Sequence, residues 1–153
     1  MFQPPVFSPP GGSGTFNPGF MVGLPIMPGD DYEMSGVKTW ITQLGTSRVI
    51  QAALYSDNAY TMQGGTLLGS TAGLTPVLGV NQMDFAAPVA LTKNTLYWMC
   101  FNVTGGSGNL RQLNMDFPRN NYMYFTQSNT TLPSTAPTCT PGTGGYQFNW
   151  WAF

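Results

Sequence analysis

Histidine is absent from this 153-residue chain, and with it go the commonest general base and the commonest metal ligand. Ser-His-Asp and Cys-His catalysis are excluded. The chain has two cysteines, Cys100 and Cys139, 39 positions apart. Without histidine or a CxxC spacing they cannot assemble a zinc site within one chain. Charge is scarce as well, at 7% of residues against about 25% in an ordinary soluble domain. The five basic residues, Lys38, Arg48, Lys93, Arg111 and Arg119, stand singly and nearly balance six acidic ones. That distribution speaks against nucleic acid as a partner, because affinity for phosphate backbones grows with clustered Lys and Arg. No stretch approaches the roughly twenty apolar residues that span a bilayer as a helix, so no membrane partner is expected. The first thirty residues lack the basic start and unbroken apolar core of a secretory signal. Synthesis in a cytoplasm is the expectation.

Apolar residues are plentiful, at 42%, with 14% aromatic. A disordered chain combines low hydrophobicity with high net charge; neither holds, so the chain is expected to fold. At this length one domain buries about 68–70% of the surface its unfolded chain exposes. A surface this poor in charge and rich in aromatics is badly protected against association. It reads as a surface meant to be covered by a partner.

Residues 1–28 differ from the remainder. Pro4, Pro5, Pro9, Pro10 and Pro18 alternate with Gly11, Gly12, Gly14 and Gly19, and among them stand Phe2, Phe7, Phe16 and Phe20. Proline fixes an extended path and removes hydrogen-bond donors, while an idle linker is usually polar. The segment is expected to be an extended arm whose phenylalanines dock on a neighbouring chain or on the body of the domain. Residues 29–153 form that body.

From residue 30 onward, short runs of β-formers are punctuated by turn residues. In "SGVKTWITQL", Val37, Thr39 and Ile41 share one face, and Lys38, Trp40 and Thr42 the other. "SRVIQAALYS" is apolar on both faces, which suits the inside of a sandwich. Further strands are expected in "TLLGST", "NQMDFAAPVAL", "TLYWMCFNV", "LRQLNM", "NYMYFTQ" and "YQFNWWAF". About eight strands without a helical period predict an all-β fold, an antiparallel β-sandwich of jelly-roll type. A seven-stranded immunoglobulin-like sandwich is the alternative.

Candidate chemistry is thin. Asp57 and Asn58 offer oxygens to a hard cation, yet calcium takes six to eight, and Asp, Asn and the following Gly64-Gly65 suffice to build a turn. Asp30, Asp31 and Glu33 hold half of the carboxylates, but sit before the first strong strand instead of converging as a glycosidase pair does. No catalytic residue, metal or cofactor is expected. Aromatic residues, including Trp40, Trp98, Tyr55, Tyr97 and Tyr124, offer a platform for sugar rings, although core packing accounts for those in strands. Adjacent Trp150 and Trp151 must face opposite sides of a strand, so one of them is expected to contact a partner, a ligand or the arm.

The stretch "LYSDNAYTMQGGTLLGST" followed by "VALTKNTLYWMCFNV" resembles a β-sandwich repeat of bacteriophage virion proteins, namely capsid decoration (cement) proteins and fibre modules. Leu54 to Asn58, Gly65, Leu67, Leu68, Ser70 and Thr71 carry the first half of the likeness, and Leu91, Thr95, Tyr97 and Trp98 the second. Lys93-Asn94 stands where the pattern has Ala-Gly. The resemblance implies a homotrimeric structural protein on the outer surface of the virion, bound to major capsid protein, with Leu54, Leu67 and Leu68 as core anchors. A fibre module recognising host glycans through exposed aromatics is the alternative it leaves open.

Overall fold

A computed structural model describes residues 13–16, 20–58, 64–107, 110–113, 123–126, 131–136, 139–141 and 150–153. These residues form strands and connecting turns, with no helix among them. The strands are β1 (Ser13–Phe16), β2 (Phe20–Ile26), β3 (Tyr32–Gln43), β4 (Val49–Asp57), β5 (Gly64–Ser70), β6 (Gly79–Leu91), β7 (Tyr97–Thr104), β8 (Leu110–Leu113), β9 (Met123–Thr126), β10 (Cys139–Pro141) and β11 (Trp150–Ala152). Each of the eight expected runs contains a strand; β1, β2 and β10 are additional.

Two antiparallel sheets result. One has six strands in the order β10-β9-β2-β7-β4-β5, and the other is built on β3, which pairs with β6 on one side and with β11 and β8 on the other, β1 lying beyond β8. Their facing sides share one apolar core. Val37, Ile41, Met83 and Leu110 come from one sheet; Ile50, Leu54, Met99 and Phe101 come from the other. Full burial of each such side chain is worth roughly 1.5–3 kcal/mol. The arrangement is sandwich-like.

The two-sided apolar run of β4 has two destinations. Ile50, Ala52 and Leu54 enter the shared core, while Ala53 and Tyr55 join Met21, Trp98 and Cys100 in a second cluster on the other face of the six-stranded sheet. Residues 131–136 cover that cluster through Leu132 and Ala136. The cover is sewn to β5 by Leu67 N–H donating to Ser134 O and Ala136 N–H to Gly65 O, both at 2.9 Å.

The arm boundary expected at residue 28 needs correction. β1 pairs with β8, and β2 lies inside the six-stranded sheet between β9 and β7. Prolines fit because of where they fall: β9 pairs residues 20–23 only, so Pro25 has β7 as its one strand neighbour among the described residues, and its missing N–H breaks no second ladder. Residues 1–12 lie outside the described residues.

β6 carries a large irregularity. Met34 pairs with Val89 and Gly36 with Asp84, so residues 85–88 stand against Ser35 alone. The strand therefore swings away from β3 and meets the end of β5, where Thr71 and Phe85 form an isolated bridge. Gly36 marks the point of return: a Cβ there would stand 2.5 Å from Met83 O.

A candidate interaction surface at one end of the five-stranded sheet

The exposed large apolar residues among the described residues are seven, and five of them gather in one place: Trp40, Leu44, Val77, Leu78 and Val80. Pairing explains the grouping. Trp40 stands opposite Val80 and Ile41 opposite Gly79, so Leu44 just beyond β3 and Val77-Leu78 just before β6 flank the same end of the pair. Alternation turns Ile41 and Met83 inward and leaves Trp40 and Val80 on the outer face.

The loop carrying Val77 and Leu78 is held in place. Asn81 is 3% exposed. Its Oδ1 accepts the Val77 N–H at 2.8 Å, and its Nδ2 donates to Val77 O at 2.8 Å and Gly79 O at 2.9 Å. Pro76 is buried beside this clamp. Gly79, at φ 91°, supplies the left-handed turn that a side chain would strain. The polypeptide thus fixes Leu78 in a position where 64% of it faces solvent.

Along the same face the apolar end gives way to polar groups. Lys38 pairs across with Gln82, and Gly36 with Asp84; Gln82 Nε2 donates to Asp84 Oδ1 at 2.9 Å. Lys38 Nζ lies 4.8 Å from the centre of the Phe153 ring, within cation–π range. An apolar centre with a polar margin is the anatomy of a protein interface.

The tryptophans separate by face. Trp150 pairs opposite Thr39 and packs against the shared core, so it is not an outward contact. Trp151, opposite Lys38, falls on the outer face, diagonal to Trp40. Trp40 itself is 40% exposed, not packed in the core. Tyr55, Tyr97 and Trp98 are buried, which removes them from any sugar platform. Phe16 and Phe20 occupy strand positions opposite Leu110 and Thr126; Phe2 and Phe7 lie outside the described residues.

The carboxylates are used for tying turns. Asp31 Oδ1 accepts the Lys93 N–H at 2.8 Å, and Asp30 meets Lys93 Nζ at 3.4 Å. Glu33 is exposed on β3. No group of three or more metal-ligating side chains occurs among the described residues. Asp57 has a specific partner: the buried Trp98 indole N–H donates to its Oδ1 at 2.9 Å. Tyr55, beside Trp98, donates its hydroxyl to Pro133 O at 2.9 Å. Burial, with a smaller contribution from Cys100, pushes this phenol far above its ordinary pKa, so it remains a neutral donor.

Cys100 is buried and forms no disulfide. Register places Gly23 beside it, then Met123, then Pro141 of β10. Three strand spacings make about 14 Å, whereas a disulfide needs Cα atoms within about 7 Å. Cys100 and Cys139 therefore do not pair in this fold.

A groove of about 330 Å³ lies between residues 67–70 of β5 and 86–89 of β6. Its lining is apolar apart from Ser70. Leu68, expected as a core anchor, is 40% exposed beside this groove because it sits on the edge strand β5; Leu54 is fully buried and Leu67 packs on the second cluster.

No protein-family model matches this sequence, and comparison with curated proteins finds no match.

Proposed function

We propose that the chain is a structural assembly protein, a jelly-roll capsid decoration module that binds the outside of a bacteriophage major capsid lattice and stabilises it. The observation that carries this reading is the grouping of Trp40, Leu44, Val77, Leu78 and Val80 on one rigid, solvent-facing end. Exposed apolar residues cost solubility, and contiguous patches mark interaction sites. The scarcity of charge supports the same reading. So does the placement of the virion-like motif, whose two halves meet in the Trp98–Asp57 hydrogen bond across β7 and β4.

The mechanism is thermodynamic. A protein that binds the assembled lattice and not its separated subunits stabilises the lattice by linkage, and many copies acting together supply avidity. Co-sedimentation with expanded capsid shells tests this. Saturable binding that Leu78→Asp weakens at least tenfold supports the proposal; a chain that stays in the supernatant overturns it.

A second reading rests on the same outer face. Trp40 and Trp151 lie close to the Gln82–Asp84 pair, and stacking aromatics with amide and carboxylate groups are what a sugar ring requires. Glycan binding abolished by Trp40→Ala or Trp151→Ala, without capsid binding, would move the function to a fibre or receptor-binding module.

A further inference from the structure

Among the described residues, two buried side-chain atoms have no hydrogen-bond partner: Gln51 Oε1 and Asn102 Nδ2. They belong to one place, since Gln51 of β4 stands directly opposite Asn102 of β7. Ile50, Ala52, Phe101 and Val103 enter the shared core, so alternation turns Gln51 and Asn102 to the other face of the six-stranded sheet. There they adjoin the Ala53–Cys100 row of the second cluster. β7 is a central strand, and on its far side Asn102 meets the fully buried Met21. Asn102 is 1% exposed. Asn102-Val103-Thr104 has the spacing of a glycan acceptor, but a side chain sealed in a central strand presents nothing for a sugar to be joined to.

The two atoms are complementary, one an acceptor and the other a donor, yet they do not bond each other. Directly opposite residues have Cβ atoms about 4.5–5.5 Å apart, a spacing that one small group can bridge. Of the two ends of the Gln51 amide, Nε2 is the nearer to Gly73, 4.0 Å from where a Cβ would stand there, and Oε1 is the end farther from that backbone. A bridging group must accept from Nδ2 and donate to Oε1. A hydroxyl does both, whereas a carboxylate cannot donate and an ammonium cannot accept. Burial then sets the size, and the smallest hydroxyl compound is water. A buried donor or acceptor left unmade costs more than immobilising a water, and interior waters characteristically serve such groups.

We infer that Gln51 Oε1 and Asn102 Nδ2 form a binding site for one resident water, which ties β4 to β7 beside the second cluster. The site stands apart from the assembly reading and does not depend on it. Its energetics follow from the shared ligand. Removing either amide leaves the other atom with a water held at one point, while removing both together leaves no polar atom to serve.

Water-to-amide NOE and ROE spectra on the nitrogen-15-labelled full chain test it. The Asn102 side-chain amide is expected to show NOE and ROE cross-peaks to water of opposite sign, the signature of a water held far longer than one in the surface shell. Gln51→Met should weaken those peaks several-fold. Thr104→Val should leave them in place, since the Thr104 hydroxyl on the same face is the near source of signal relayed by proton exchange. Melting temperatures supply the second measurement. Gln51→Met and Asn102→Leu are each expected to lower it, and the double variant should melt no lower than the weaker single variant, because one shared ligand is removed twice. A crystal structure should show a density peak about 2.7–3.2 Å from both atoms. A direct bond between Oε1 and Nδ2, cross-peaks that are missing or lost in Thr104→Val, peaks that Gln51→Met leaves unchanged, or melting losses that simply add would overturn the inference.

Discussion

Asp57 and Trp98 show how much a pair of residues can organise. The indole N–H of a fully buried tryptophan needs an acceptor, and Asp57 supplies one at 2.9 Å on the neighbouring strand. Replacing Trp98 by Phe removes a hydrogen bond to a charged group, worth about 1.5–3 kcal/mol, and chemical denaturation should show a loss of at least that size. Asp57 and Trp98 were each legible as motif members; their pairing was not, because it depends on the register of β4 against β7. Tyr55 gives a pH-dependent counterpart. Its phenol is neutral and hydrogen-bonded when folded, with its pKa raised by burial, whereas the unfolded chain releases that proton near pH 10. Above that pH the unfolded state binds fewer protons, so stability falls as pH rises. Thermal melts from pH 8 to 11 should decline more steeply for the natural chain than for Tyr55→Phe, which at neutral pH loses about 1 kcal/mol with the Pro133 bond.

At the scale of elements, alternation and turn residues placed eight strands, since Val37, Thr39 and Ile41 do face inward together. β1, β2 and β10 escaped because their signal is tertiary: proline and glycine obscure β2, whose Pro25 is tolerated only because β9 has already ended. The Val77–Leu78 loop escaped for a different reason. It is apolar sequence between Pro76 and Gly79, without period, and nothing local announces that Asn81 will be buried and fold back on it. Asn81→Ala removes the acceptor of the Val77 N–H and two further bonds. The expected result is a loss of about 1–3 kcal/mol, with new proteolytic cleavage between residues 76 and 80. Trp40 shows the limit of strand reading: its strand and its face were both legible, but whether another layer covers that face depends on the rest of the fold.

At the scale of the whole molecule, the two sheets spend their apolar residues on a shared core and a second covered cluster, and still leave five large apolar side chains exposed at one end of the β3–β6 pair. The fold gathers the exposed apolar residues at one place and turns Trp150 away from it, toward the shared core. The most direct measurement of the proposed role is electron microscopy of expanded bacteriophage capsid shells incubated with this chain, at a resolution that traces strands. The account predicts the two-sheet fold on the outer capsid surface, with Trp40, Leu78 and Val80 covered by capsid protein or by a neighbouring copy. Shells without density for the chain, or a lattice-bound chain whose β3–β6 end faces open solvent, would contradict it.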